Sequence, residues 1–143
     1  MTETRMILTG HGEFAVGLYD ALTKIAGEQN NFEVVPFDTR ENEQVYIEAL
    51  VKACKSLDTD DTIVVFTDLV GGTPYKMAVQ LKLEGYNLRV IGGTNLGMLI
   101  DFSLSRLSET DVDVLVANCL NSGRESIQEF ELSFGDGDEE EED

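Results

Sequence analysis

His11 is the only histidine in a chain of 143 residues. It stands where the apolar run Met6-Ile7-Leu8-Thr9 meets Gly10-His11-Gly12 and a helix-like pattern begins. A neutral imidazole attacks phosphorus through one ring nitrogen when the other is held protonated by an acceptor. Asp68, which directly follows the run Thr62-Ile63-Val64-Val65-Phe66-Thr67, is the natural acceptor. It would fix tautomer and ring orientation and stabilise the positive charge that develops on attack, as the third group of a catalytic triad does. Donors for the phosphoryl oxygens are then expected from the backbone N–H groups of Gly71, Gly72 and Thr73, from the Thr73 hydroxyl, and from Gly12 with the start of the helix behind it. The chemistry is phosphoryl transfer through a transient N–P bond. The plainer reading is a polar pair satisfied at a loop, but two glycine-bracketed helix starts converging on one imidazole favour chemistry.

Bringing His11 to Asp68 requires neighbouring strands whose carboxyl ends share one end of a sheet. An unbroken β-branched and aliphatic run reads as a strand buried on both faces, so the first strand ends at His11. Phe14, Leu18, Ala21, Leu22 and Ile25 follow at helical spacing as far as Gly27. The second strand spans 32–37 and closes at Asp38, with Thr39 as a cap for a helix over 43–57 that carries Tyr46, Ala49, Leu50, Ala53 and Leu57 on one face. Residues 62–67 form the strongest strand, expected centrally beside the first. After it, Thr73 suits an N-cap and Pro74 the first helical position, and a third helix carrying Met77, Ala78 and Leu81 stops at Gly85. A fourth strand at 88–91 runs into Gly92-Gly93-Thr94-Asn95, where Asn95 caps a helix with Leu96, Leu99, Ile100 and Leu104 as its stripe. Thr110 to Asp113 reads as a capping box for a fifth helix with Val112, Leu115, Val116, Cys119, Leu120 and Ile127, although Val112, Val114 and Val116 also admit a strand. Phe130, Leu132 and Phe134 alternate with polar residues, which predicts a short half-buried strand.

The alternation predicts an α/β, doubly wound, mainly parallel four-stranded sheet with helices on both faces, because parallel strands need right-handed crossovers. A switch point beside the first strand would gather His11, Asp68 and Asp38 at one crevice. Residues 1–134 make one domain and 135–143 a disordered acidic tail. Formal charge is −18, and the seven acids of that tail leave −11 on residues 1–134. Such acidity argues against nucleic acid or an anionic membrane as partner and favours a basic protein. No run approaches a membrane span and no signal segment opens the chain, so a cytoplasmic protein is expected. Cys54 and Cys119 are isolated and fall on apolar helix stripes, as reduced core thiols do. No metal or cofactor is expected. Gly10-His11-Gly12-Glu13-Phe14-Ala15 satisfies a permissive dinucleotide fingerprint, yet Glu13 would face the pyrophosphate and the strands are too few for a two-halved nucleotide domain. Asp136-Gly137-Asp138 lacks the spaced ligands of a calcium loop.

Ile7-Leu8-Thr9-Gly10-His11-Gly12, Asp68-Leu69-Val70-Gly71-Gly72-Thr73-Pro74 and Gly92-Gly93-Thr94-Asn95-Leu96 follow one another at the ends of three strands. On these motifs the chain resembles the enzyme IIA component of the mannose family of the bacterial phosphoenolpyruvate-dependent sugar phosphotransferase system, over about residues 4 to 132. The resemblance implies that His11 is transiently phosphorylated through Nε2, accepting from the histidine-containing phosphocarrier protein and passing the group to a IIB component for sugar uptake and phosphorylation. It further implies that Asp68 bonds the imidazole and that Thr73 and the glycine loop contact the phosphoryl group. Membrane IIC and IID components would be served indirectly. A homodimer is also implied, in which the C-terminal strand crosses to the partner and pairs antiparallel there. Thr9-Gly10-His11-Gly12 and Thr67-Asp68-Leu69 are most similar to the N-acetylgalactosamine and related amino-sugar branch. An acidic end, where fused IIAB proteins continue through a linker into IIB, leads us to expect a free-standing IIA. The IIA-like subunit that feeds dihydroxyacetone kinase shares the histidine loop but resembles this chain less after the third strand. A rival of another class is a regulatory module that holds a small anion without turnover, and label transferred from phosphoenolpyruvate to His11 discriminates the two.

Overall fold

The protein is described here by a computed structural model covering residues 2–133. Its first strand, β1 (Arg5–His11), is buried from Met6 through Gly10, as an unbroken apolar run requires when both faces are covered. The remaining elements follow as α1 (Phe14–Ala26), β2 (Phe32–Phe37), α2 (Glu43–Ser56), β3 (Ile63–Phe66), α3 (Thr73–Leu83), β4 (Leu88–Ile91), α4 (Leu96–Ser105) and α5 (Val112–Glu125). All strand pairs are parallel, in the order β2-β1-β3-β4.

Side-chain alternation divides the core in two. Met6 and Leu8 of β1, with Val64 and Phe66 of β3, face α1, α4 and α5 through Leu22, Leu99, Phe102 and Leu115. Ile7, Ile63 and Val65 point the other way, onto Tyr46 and Leu50 of α2 and Ala78 and Leu81 of α3. The sheet is therefore covered on both faces, as the doubly wound α/β expectation has it. From β1 the chain moves outward to β2, then returns across β1 to β3. The switch point lies between β1 and β3, and their carboxyl ends deliver His11 and Asp68 to one crevice.

Several local expectations are corrected. Thr39 does not cap α2; Asn42 does, accepting from Val45 N at 2.9 Å. Thr110 does not cap α5; Asp111 does, accepting from Asp113 N and Val114 N. Residues 112–125 form a helix, which settles the helix-or-strand ambiguity. Asn95 caps α4 as expected, accepting from Met98 N, and its amide also donates to Gly123 O on α5. Ile25, Leu104 and Ile127 are exposed rather than on buried stripes, and so is Ala49. Cys54 and Cys119 are free and buried, and burial pushes the Cys119 thiol up to about 12.

At the amino end of the sheet, Arg106 is almost wholly buried. Its guanidinium donates to Thr4 O, Asn30 O, Asn31 O and Gln29 Oε1 at 2.7 to 3.2 Å, tying the entries of β1 and β2 to the end of α4. Beyond α5, residues 127–133 have no regular secondary structure in the single chain, and Phe130 and Leu132 are exposed. The half-buried strand expected there is thus not formed within one chain. Phe134 and the acidic tail lie outside the described residues.

Candidate active site

His11 closes β1, and three features at this end of the sheet determine how its ring sits. Asp68 follows β3 by two residues, and its Oδ2 accepts from His11 N and from the imidazole Nδ1, each at 2.8 Å. Its other oxygen accepts from Leu69 N at 2.7 Å. An ionised carboxylate only accepts, so Nδ1 must carry the proton and Nε2 is the nitrogen with the free lone pair. Burial by itself would raise the Asp68 carboxyl; the bonds from the His11 N–H, the imidazole and the Leu69 N–H outweigh it and hold the group below its ordinary value. The Asp68 side chain is 15% exposed and that of His11 36%, so a charged anchor is screened beneath a reachable ring.

Glycines make this approach feasible. A methyl at Gly10 would lie 2.6 Å from Phe14 Cδ2 and 3.0 Å from Asp68 Cγ, and one at Gly72 would lie 2.9 Å from His11 Cε1. The loop reaches the ring through a turn in which Gly72 N donates to Leu69 O at 3.0 Å while Gly71 has φ +84°, the left-handed value a type II turn demands at its third position. Gly92 plays the matching part from β4, because a methyl there would meet Val70 Cγ2 at 2.5 Å. Gly93 N then donates to Asp68 O at 2.9 Å and Thr94 N to Thr67 O at 3.1 Å, which holds the Asp68 backbone.

The structure refines which donors are open. Gly12 N is committed to Phe37 O at 2.7 Å and Gly72 N to Leu69 O, so neither glycine offers the amide expected of it; Gly72 leaves room for the imidazole, and Gly12 turns the chain at φ +55°. The Gly71 and Thr73 amides and the Thr73 hydroxyl have no hydrogen-bond partner among the described residues. Thr73 is the first residue of α3 and not its cap, which is Gly72. It therefore presents its amide at the positive end of that helix. Asp38 shares this end of the sheet but is engaged with Arg40, whose guanidinium and amide hold it down to about 2. It takes no part in the imidazole network.

Two features are absent from the sequence-based reading. Phe37 pairs with His11 in the β1–β2 register, and its ring lies 5.6 Å from the imidazole at 71°. Leu69 and Val70 are exposed on the loop that carries Gly71 and Gly72. The only sequence signal for Phe37 is its place at the end of a strand, which names no partner.

Among the described residues, no group of three His, Cys, Asp or Glu side chains could hold a metal ion, and no helix is long and apolar enough to cross a membrane. Cavities of about 470 and 560 Å³ open at the amino end of the sheet, lined by residues such as Asp58 and Tyr86 in one and Glu3 and Thr110 in the other. Neither is lined by His11 or Asp68.

Comparison with known proteins follows the same geometry. Residues 5–120 match the family EIIA-man, described as the PTS system fructose IIA component. The PTS system fructose-specific EIIA component of Bacillus subtilis (strain 168) is 32% identical over 96 residues, 67% of this chain and 66% of that protein. The mannose-specific EIIAB component of Escherichia coli (strain K12) is 28% identical over 123 residues, 86% of this chain and 38% of that one. The chain thus spans slightly less than two thirds of the first relative and well under half of the second. A crystal structure of the phosphotransferase system component EIIA from Streptococcus agalactiae superposes with TM-score 0.80 at 32% identity, covering 88% of this chain and 96% of the other. With a family match that spans residues 5–120 and a fold in agreement with that of a solved EIIA structure, the chain belongs to the mannose-type IIA family of the sugar phosphotransferase system.

Proposed function

We propose that this protein is a cytoplasmic phosphocarrier in which His11 accepts a phosphoryl group from the histidine-containing phosphocarrier protein and passes it to a IIB component for sugar uptake. The observation that carries the reading is the pair of 2.8 Å bonds from His11 to Asp68 Oδ2, which leaves Nε2 as the nucleophilic nitrogen on a partly exposed ring. In the transfer step the Nε2 lone pair forms a bond to phosphorus as the donor's N–P bond breaks and its electron pair returns to the donor imidazole. The Nδ1 proton stays on His11, where the Asp68 carboxylate balances the charge the ring acquires. Gly71 N, Thr73 N and the Thr73 hydroxyl would receive the phosphoryl oxygens. An open site suits this role, since a group handed from one protein to another must be reachable by both, whereas a small-molecule site is ordinarily concave.

The experiment is incubation with labelled phosphoenolpyruvate and the two general phosphotransferase proteins. Acid-labile label on His11 that chases to a IIB component is expected, and no label on the folded protein would overturn the proposal. Mannose, fructose and sorbose appear in the names of relatives, and a panel including N-acetylgalactosamine, assayed with the cognate membrane components, identifies the sugar.

Dimerisation through the C-terminal segment belongs to the same proposal. Among the described residues no strand pairs with the outer side of β4, and α5 releases the chain beside it, with Ile127 lining a small cavity together with Gly92 and Gly93. The other edge strand, β2, carries Pro36, which cannot donate to a ladder. Exposed Phe130 and Leu132 would be covered on a partner's β4. Truncation after Phe134 is expected to leave a dimer and truncation after Gln128 a monomer; a shorter chain that sediments as a stable dimer would refute the exchange.

A further inference from the structure

We propose that Phe37 is the positioning residue of this site, its ring forming the wall that keeps His11 Nδ1 on Asp68 and Nε2 facing outward. A hydrogen bond alone leaves that orientation soft. Rotation about the imidazole's terminal torsion is broad, and a carboxylate oxygen accepts over a wide range of directions. A half-turn of the ring would put Cδ2 where Nδ1 stands and Cε1 where Nε2 stands, which breaks the bond to Asp68 and withdraws the nucleophilic nitrogen.

Phe37 opposes that rotation because its backbone and its ring are both held. Its carbonyl accepts from Gly12 N at 2.7 Å, so the residue that contacts the imidazole also pins the backbone just beyond it. Its ring lies 5.6 Å from the imidazole at 71° and 4.8 Å from the Tyr46 ring at 56°. Tyr46 is 1% exposed, and its hydroxyl lies 2.5 Å from Thr9 Oγ1, which also donates to Val35 O. The Tyr46 ring is what backs Phe37, while its hydroxyl bond to Thr9 stabilises the layer behind the two rings without touching the imidazole. Gly72 limits the Cε1 side of the imidazole. The ring is thus held in a slot, with Phe37 as the member backed by the core.

The test separates positioning from plain packing. Phe37→Leu keeps an apolar side chain and removes the planar wall. Tyr46→Phe, in the same layer, deletes the buried hydrogen bond to Thr9 and keeps a ring against Phe37, so it reports what lost stability does by itself. The first measurement needs no partner and does not depend on the phosphocarrier reading: long-range proton–nitrogen NMR of the His11 ring in the unphosphorylated protein. Wild type and Tyr46→Phe are expected to show one tautomer with the proton on Nδ1, and Phe37→Leu a mixture. The second rests on that reading and uses phosphoramidate as a small donor. Phosphorylation is expected only at Nε2 in wild type, and at both nitrogens with transfer slowed about tenfold in Phe37→Leu, since misplacement by an ångström can cost ~10²-fold. A single Nδ1–H tautomer in Phe37→Leu, or the same mixture in Tyr46→Phe, would overturn the proposal. If no variant is phosphorylated, the phosphocarrier reading falls while the tautomer measurement still decides the role of Phe37. Should Phe37→Leu not fold, Phe37→Met carries the same test.

Discussion

At the amino end of the sheet Arg106 is 2% exposed and its guanidinium donates to four oxygens, whereas at the carboxyl end Asp68 accepts from three N–H groups and the ring it holds keeps one nitrogen open. Each end buries one charge beneath loops, and each charge suits its location. Thr4, Asn30 and Asn31 precede the strands and offer carbonyls to a cation. At the other end, helix starts and turn amides suit anions. The difference lies in what is left over. Around Arg106 almost every donor is used, which makes a clamp; around Asp68 the bonds leave Nε2 and the Gly71 and Thr73 amides unspent, which makes a site.

Breaking the comparison at its most reactive point gives the largest effect. His11→Ala should abolish phosphorylation, because the chain has no second imidazole, while thermal unfolding stays near wild type because the ring is partly exposed. Label on the variant would refute the assignment. Asp68→Asn comes next. An amide cannot accept from three N–H groups with both its atoms or neutralise the ring, so transfer should slow on the order of 10²- to 10⁴-fold, as for triad aspartates; rapid-quench kinetics checks this. The same variant has a pH signature. A depressed folded pKa gives a stability contribution present above the unfolded value of ~3.9 and lost as pH falls through the folded one. The stability gap between wild type and Asp68→Asn should therefore narrow on acidification from pH 7 to 3 in denaturant titrations.

Arg106→Met tests the clamp. It strands carbonyls that now have a cation, and stability should fall by about 3 kcal/mol. Phosphorylation per folded molecule should stay unchanged, since Arg106 belongs to the other end of the sheet. Reduced transfer at equal folded fraction would show that the two ends are coupled. The smallest effect is expected of Thr73→Val. Losing a hydroxyl bond to a charged group costs about 1.5 to 3 kcal/mol, to be read as faster phosphohistidine hydrolysis with the amide of residue 73 still in place. Equal hydrolysis rates would remove the hydroxyl from the site.

Much of this architecture was legible because its determinants are local. Apolar runs and helical spacing mark the elements, and β2 and β4 have the bounds that their composition predicts. Caps were less legible. Thr73, Thr39 and Thr110 all have the chemistry of an N-cap, yet Gly72, Asn42 and Asp111 occupy those positions, because the cap is set by where the backbone turns into the helix as much as by side-chain type. Of the half-buried strand read from Phe130, Leu132 and Phe134, the described part, as far as residue 133, is not a strand in the single chain, since alternation specifies a face to be covered but not what covers it.

By itself the sequence determined that one imidazole and one carboxylate stand at strand ends among glycines, and that β-α alternation would carry them to the same end of a sheet. Only the tertiary structure decided which ring nitrogen is held, that the Gly12 and Gly72 amides are already committed, that Phe37 flanks the imidazole, and that Arg106 reaches carbonyls at least 75 positions away. The reason is physical. Periodicity and turn chemistry are carried by neighbours along the chain, but a hydrogen-bond donor has one proton to give, and which acceptor receives it depends on strand register and loop packing between distant segments.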